Sequence, residues 1–373
     1  MSKPHIHLGI SLDGAGAHSA AWQLPGAAEK TLDPARLVAL ARTAERGNFD
    51  FVSLDDSFDL PTIATVPFRL DALLSFARVA PTTTSIGLIA TVTTTHTEPF
   101  HVSKNLATLD LVSKGRAGWH VAVSTDQTAA RLFGRKDPQP LDELWEEADE
   151  VIEVVTRLWD SWEDDAVIRD RQTGRYLDRD KVHYIDFEGK SFNVRGPSIT
   201  PRSPQGQPLV VISAKDQVSS AVAAARADII LIDDADIDAA RIRRTELRAK
   251  IERLGRNPDD VSVLVTARVG ESTLRTRLDT LAGGVLPTHS LDLVGDAVHV
   301  AQELERWFKS GAVDGFLLQP DSLPESIDWL VDDVAPLLRG QGVIRNDQPI
   351  RTLRDRFGLA RPQNRYANSK AHS

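Results

Sequence analysis

Residues 85–123 read SIGLIATVTTTHTEPFHVSKNLATLDLVSKGRAGWHVAV and contain one complete β/α unit. Two runs rich in β-branched and apolar residues, 85–92 and 118–123, have the length and composition of buried strands. Between them, from about residue 99 to 112, lies a segment of helical period. A strand, a helix and a second strand in this order are typical of a protein with a parallel sheet.

The same unit recurs along the whole 373-residue chain. Eight strands are predicted, each followed by a helix, at residues 5–10, 51–54, 85–92, 118–123, 209–212, 229–232, 261–265 and 315–318. Since eight parallel strands close a barrel, we predict an α/β protein of the (β/α)8 TIM-barrel class with loop insertions and a C-terminal extension. A doubly wound open sheet is the alternative, and it is disfavoured because no G-x-G-x-x-G follows the first strand.

The predicted barrel fills most of the chain as one domain, residues 1–344. An excursion at 163–207 breaks the alternation; it is polar, rich in Pro and Gly, and has a predicted hairpin at 183–194. A polar tail with several arginines follows at 345–373. We expect this tail to wrap the barrel or to reach a partner subunit.

Composition excludes several classes of protein. The 53 acidic residues outnumber the 44 Lys and Arg, for a net charge of -9, and the basic residues are scattered, which argues against a nucleic acid or an anionic membrane as partner. The chain has no cysteine, so disulfides and thiolate chemistry are excluded. We find no membrane-length apolar run, and the N-terminus enters a strand without the apolar region of a signal peptide. The expected location is cytoplasmic.

In a parallel barrel the functional face lies at the carboxyl ends of the strands. Asp55 and Asp56 end the second strand, where a carboxylate is predicted to bind a polar ligand, to form half of an acid/base pair, or to cap a helix. Thr91 ends the third strand in a row of threonines. Asp233 or Asp234, after the sixth strand, gives a two-carboxylate hydrolase with Asp56 as an alternative.

Histidines come from neighbouring units of the predicted barrel. His96 follows the third strand, His101 starts the next helix, and His120 lies in the fourth strand. We predict that they share a polar pocket, with His96 and His120 as the catalytic residues. Their spacing differs from the i, i+4 pattern of a helical zinc site, so no metal is predicted.

The turn after the fifth strand, Ser213-Ala214-Lys215-Asp216, has two interpretations. A strand-to-helix turn offers free N–H groups and the positive end of a helix, which favour a bound phosphate. Asp216 favours a capped helix instead, because its carboxylate satisfies the same donors and repels phosphate.

Several strings in this sequence are similar to one family. They are residues 17–22 (AHSAAW), 25–27 (PGA), 88–94 (LIATVTT), 107–110 (ATLD), 113–119 (SKGRAGW), 158–162 (LWDSW), 187–190 (FEGK), 196–197 (GP), 201–206 (PRSPQG), 311–316 (GAVDGF), 359–362 (LARP) and 364–366 (NRY). Their order and coverage resemble the bacterial luciferase-like flavin monooxygenases, in the branch of nitrilotriacetate monooxygenase, dibenzothiophene-sulfone monooxygenase and pristinamycin synthase.

The resemblance implies a two-component monooxygenase. Such an enzyme takes reduced FMN from a separate flavin reductase, reacts it with O2, and inserts one oxygen atom into a small organic substrate. A deazaflavin, used by more distant members of the superfamily, is an alternative cofactor. Assembly into a homo-oligomer, usually a dimer, is also implied, and the segment from about 266 to 291 is shorter than in the family.

Carried over position by position, the family's flavin contacts are partly retained. Asp56 and Thr91 match the family's pattern, whereas His120 replaces an asparagine. The positions of a histidine and a tyrosine that open the long helix hold Leu141 and Trp145, and Asp216 replaces the phosphate-binding serine. Two hypotheses therefore stay open: a flavin monooxygenase with a rebuilt phosphate site, and a degenerate barrel with weak or no flavin binding that acts as a binding or partner subunit.

Overall fold

The computed structural model describes residues 5–59, 69–285, 290–346 and 351–367. Eight parallel strands form its centre: β1 His7–Ser11, β2 Phe51–Leu54, β3 Gly87–Thr93, β4 Ala117–Ala122, β5 Leu209–Ser213, β6 Ile229–Ile232, β7 Ser262–Glu271 and β8 Gly315–Pro320. Each strand pairs with the next along the chain, and β8 pairs with β1, which closes the ring. The predicted (β/α)8 barrel is confirmed.

Helices surround the barrel. The main ones are α1 Pro34–Arg46, α2 Ala72–Val79, α3 Pro99–Val112, α4 Leu141–Asp160, α5 Gln217–Arg226, α6 Ile237–Arg253, α7 Ser272–Ala282, α8 Ala297–Lys309, α9 Glu325–Trp329 and α10 Ala335–Gly340, the last two joined by a π-helical turn, Leu330–Val334. Short helices lie at Ala27–Lys30, Gln127–Phe133 and Leu353–Arg356, and single 3-10 turns at Ala21–Gln23, Ala80–Thr82, Arg179–Lys181 and Pro258–Asp260.

Side chains alternate across each strand, so the barrel has two apolar layers. In β3, Leu88 and Ala90 point outward and join the layer between strands and helices. Ile89 points inward and joins Phe51, Leu209 and other residues in a separate cluster inside the lower barrel. The barrel interior is therefore filled at the amino-terminal ends of the strands.

The C-terminal segment closes the bottom of this inner cluster. Leu353, Phe357 and Leu359 are buried among the inward-facing residues of the strands. The ring of Phe357 stacks on His7 with centroids 4.2 Å apart, and Arg354 Nη2 donates to Asp228 Oδ2 at 3.0 Å. The tail was predicted either to wrap the barrel or to reach a partner subunit. Residues 351–367 pack against the barrel, mainly through apolar contacts. The domain division at residue 344 stays a prediction.

A ninth strand, Leu291–Gly295, is absent from the eight that the sequence predicted. It pairs in parallel with Ala267–Glu271, the upper half of β7. The physical reason is the length of β7: β6 pairs only with its first residues, up to Val265, which leaves the edge beyond them free for another strand.

Two small antiparallel pairs stabilise the excursion. Strands Phe187–Glu188 and Asn193–Val194 lie inside the predicted hairpin, while Val167–Asp170 with Arg175–Leu177 was not predicted. No helix in the described part of the chain combines the length and the hydropathy that crossing a bilayer requires. The prediction of a cytoplasmic location rests partly on the N-terminus, and its residues 1–4 lie outside the described residues.

We expect Phe357→Ala to lower the free energy of unfolding by about 3–5 kcal/mol, because it opens a cavity under the barrel. Urea denaturation measures the change. Leu254→Ala is the control: this side chain is exposed at the end of α6, and the expected change is within about 0.5 kcal/mol. A loss below 1 kcal/mol for Phe357→Ala would show that the tail does not support the barrel.

Candidate active site at the barrel mouth

Above the inner apolar cluster, the inward-facing positions become polar. Ser11 is aligned with Ser53 between β1 and β2, and Thr91 with His120 between β3 and β4. Thr91 lies two residues beyond the inward-facing Ile89, so it points to the same side of the strand. The carboxyl ends of the strands therefore form a polar mouth over an apolar floor.

His120 connects three strands by hydrogen bonds. Its Nδ1 lies 3.1 Å from Thr91 Oγ1 on β3, and its Nε2 lies 3.0 Å from Ser213 Oγ on β5. Burial lowers the pKa of His120; the nearby charge of Asp55 opposes this shift and that of Lys215 adds to it. At neutral pH the imidazole is therefore uncharged, with one nitrogen donating and the other accepting.

His96, the other predicted catalytic residue, lies in a different environment. It has a left-handed backbone, φ 68°, and its ring stacks on Phe133 with centroids 4.8 Å apart. Its Nδ1 is buried and makes no hydrogen bond to any described residue. Burial lowers the pKa of His96, and the charge of Lys136 lowers it further. The described hydrogen bonds do not link His96 to His120. His101 is exposed on α3 and lines a cavity with Asp56 and Thr91.

The adjacent residues Asp55 and Asp56 line different cavities. Asp56 Oδ2 accepts the N–H of Ala72 at 3.0 Å and so anchors the start of α2. Burial raises the pKa of Asp56, and that hydrogen bond partly offsets the shift. Asp56 and Thr91 line one cavity of about 140 Å³, so the structure brings these two predicted flavin contacts together. Asp55 faces another cavity.

That second cavity contains a residue that the sequence analysis missed. Asp13, just beyond β1, accepts hydrogen bonds from the hydroxyl of Ser11 and, at 2.6 Å, from the N–H of Asp55. It lines a cavity of about 330 Å³ together with Trp22, Asp55 and Arg69. Burial raises the pKa of Asp13 to about 6, and the charge of Asp55 contributes. Had the first strand been extended to Ser11, the strand-end rule would have found Asp13.

The predicted contacts from the long helix lie at its first turns. Leu141 is the first residue of α4 and is 38% exposed. Trp145 is 6% exposed and belongs to the apolar layer between strands and helices. Contact of either residue with a flavin stays a prediction.

Asp216 is the N-cap of α5. Its Oδ1 accepts the N–H groups of Val218 at 2.9 Å and Ser219 at 2.8 Å, and its own N–H donates to Ser219 Oγ at 3.0 Å. This reciprocal arrangement is a capping box. Of the two interpretations of this turn, the capped helix is the one observed.

The structure gives less support to the alternative hydrolase, in which Asp56 would act with Asp233 or Asp234. Asp234 Oδ2 lies 2.7 Å from Nε of Arg243 on α6, so this carboxylate forms an ion pair with the outer helix. Asp233 remains close enough to His120 to oppose the lowering of the histidine's pKa.

Comparison with known proteins gives one consistent result. The family model described as luciferase-like monooxygenase matches residues 15–270. N-acetyl-S-(2-succino)cysteine monooxygenase from Bacillus subtilis (strain 168) is 30% identical, over 98% of this chain and 99% of its own. Nitrilotriacetate monooxygenase component A from Aminobacter aminovorans is 28% identical, over 97% and 98%. The structure of EDTA monooxygenase from Chelativorans sp. BNC1 superposes with a TM-score of 0.86 at 25% identity, over 96% and 99%.

Asp13 provides a pH-dependent test of the site. Its pKa is raised from 3.8 to about 6, so the folded state holds this proton more tightly than the unfolded state and loses stability as the pH rises through 6. Asp13→Asn removes this loss. We expect its effect on the free energy of unfolding to be more stabilising at pH 8 than at pH 5 by about 1–2 kcal/mol. Urea denaturation at both pH values measures it, and equal effects would contradict the assignment.

Proposed function

The chain belongs to the luciferase-like monooxygenase family, and on this basis we propose that it is the oxygenating component of a two-component flavin monooxygenase. The predicted resemblance to this family and to its nitrilotriacetate and dibenzothiophene-sulfone branch is confirmed. In the proposed reaction one atom of O2 enters a small organic substrate. The reduced flavin, when bound, supplies the electrons that activate O2, and a separate reductase delivers it.

The observation that carries this proposal is the neutral, doubly hydrogen-bonded His120 at the centre of the mouth. An uncharged imidazole held between two hydroxyl groups adds no charge to the mouth, and it fixes the hydroxyls of Thr91 and Ser213, which keep capacity for a further hydrogen bond. Thr91, bonded to the same imidazole, also lines a cavity with Asp56. These three residues fit the polar edge of an isoalloxazine ring, whose nitrogen and oxygen atoms both donate and accept.

The remaining residues of the mouth would shape the substrate site. The cavity of about 330 Å³ beside Asp13 and Asp55 has the size of a small-molecule pocket. Trp22 and Leu70 give it apolar surface, while Asp13 is able to hold or release a proton near pH 6. Exclusion of water from this cavity by a bound substrate would protect the oxidation chemistry.

One observation favours the second candidate function, a barrel that binds flavin weakly and acts as a partner subunit. The capping box at Asp216 occupies the helix end at which the family resemblance places the phosphate of FMN. The monooxygenase proposal therefore requires that the protein bind the isoalloxazine ring, but it does not require a phosphate site at this helix end. Homo-oligomeric assembly and the identity of the reductase stay predictions.

Anaerobic titration separates the two functions. We expect reduced flavin to bind with a dissociation constant well below millimolar, and His120→Ala to weaken binding about tenfold, the effect of losing one buried hydrogen-bonding group. His299→Ala, an exposed histidine on α8, is the matched control and should bind like the unmodified chain. If neither reduced FMN nor reduced riboflavin binds below millimolar concentration, the monooxygenase proposal is wrong and the partner-subunit function is favoured.

A further inference from the structure

The helix N-termini around the mouth share one chemical property. Each helix that follows a strand begins at the carboxyl end of the barrel, where its free N–H groups and positive end would attract an anion. In six of them a carboxylate already accepts these N–H groups; the residues are Asp33 of α1, Asp71 of α2, Asp216 of α5, Asp236 of α6, Glu271 of α7 and Asp296 of α8. The mouth therefore carries its own anions at the sites that suit phosphate.

Three further helix ends, those of α3, α4 and α9, also carry acidic residues. Glu98 is the N-cap residue of α3, Asp142 and Glu143 lie in the first turn of α4, and Glu325 lies in that of α9. An incoming phosphate would therefore meet a negative side chain at each of these ends. Two negative groups that lie close together repel each other, and this repulsion opposes the binding of phosphate.

Cations near the mouth are largely engaged with protein groups. Lys136 pairs with the buried Glu147, and Arg275 is shared between Asp321 and Asp292, with nitrogen–oxygen distances of 2.6 and 2.8 Å. Arg69 Nη1 donates to Ser57 Oγ at 2.8 Å. Lys215, beside Asp216, is exposed to solvent, and its charge reaches the mouth, where it adds to the lowered pKa of His120.

Taken with the proposed function, on which this inference rests, we propose that the mouth excludes phosphate and accepts the unphosphorylated flavin, riboflavin, in preference to FMN. An ionised carboxylate is only an acceptor. The terminal hydroxyl of riboflavin can donate a hydrogen bond to a capping carboxylate such as Asp216, whereas the phosphate of FMN brings two negative charges and no matching donor. The residues at α5 therefore do not fit the phosphate.

The test compares two ligands that differ only in the phosphate. Reduced riboflavin and reduced FMN are titrated anaerobically into the full chain, and we expect riboflavin to bind about tenfold more tightly. Asp216→Asn keeps the cap, because Asn is as good an N-cap as Asp, but removes the charge. This variant should bring the two dissociation constants within threefold of each other or reverse their order, and thermal unfolding checks that it folds.

Asp236→Asn is the matched control, because the Asp236 carboxylate caps the next helix and likewise accepts the N–H groups two and three residues further on. It should leave the ratio between riboflavin and FMN unchanged. In the unmodified chain the ratio should also shrink at high salt, since screening weakens the repulsion of phosphate but leaves riboflavin unaffected.

Each remaining outcome overturns a defined part of the inference. Tighter binding of FMN than of riboflavin overturns it while the proposed function stands. A preference for riboflavin that persists in Asp216→Asn overturns the role of Asp216. Failure of both flavins to bind overturns the inference together with the proposed function.

Discussion

Closure of the eight-stranded ring is the constraint on which the remaining structure depends. Because each strand is paired on both sides, successive side chains must alternate between the interior and the surrounding helices. The interior then changes from apolar to polar along its axis: Ile89 belongs to the floor, and Thr91, two residues later, belongs to the mouth. The position of His120 between Thr91 and Ser213 follows from this alternation on three adjacent strands.

The floor of the barrel is completed by residues distant in the chain. Phe357 and its neighbours from the C-terminal segment fill the space between the amino-terminal ends of the strands. The same segment is held from outside by polar contacts: Arg354 donates to Asp228, and Asn364 Nδ2 donates to the carbonyl oxygen of Asp160 at 2.7 Å. A supported floor keeps the strands in register and so keeps the mouth in shape.

In the proposed function, helix capping links stability to ligand selection. A capping carboxylate such as Asp216 stabilises its helix, typically by about 1 kcal/mol, and we propose that the same group selects the ligands that approach the helix end. In the proposed function, Asp56 and Thr91, which line one cavity, favour a flavin, whereas the acidic helix ends disfavour its phosphate. These two features are compatible if the ring and not the phosphate provides most of the binding.

The sequence by itself determined the fold and part of the site. Eight strands and the positions of Asp56, Thr91 and His120 follow from local periodicity and strand ends, both of which are short-range signals. Only the tertiary structure decided the rest. Asp13 meets Asp55 across two strands, Phe357 packs beneath residues hundreds of positions away, and the strand Leu291–Gly295 forms because β7 offers a free edge. Such contacts depend on which chain segments become neighbours, and no local pattern in the sequence records that.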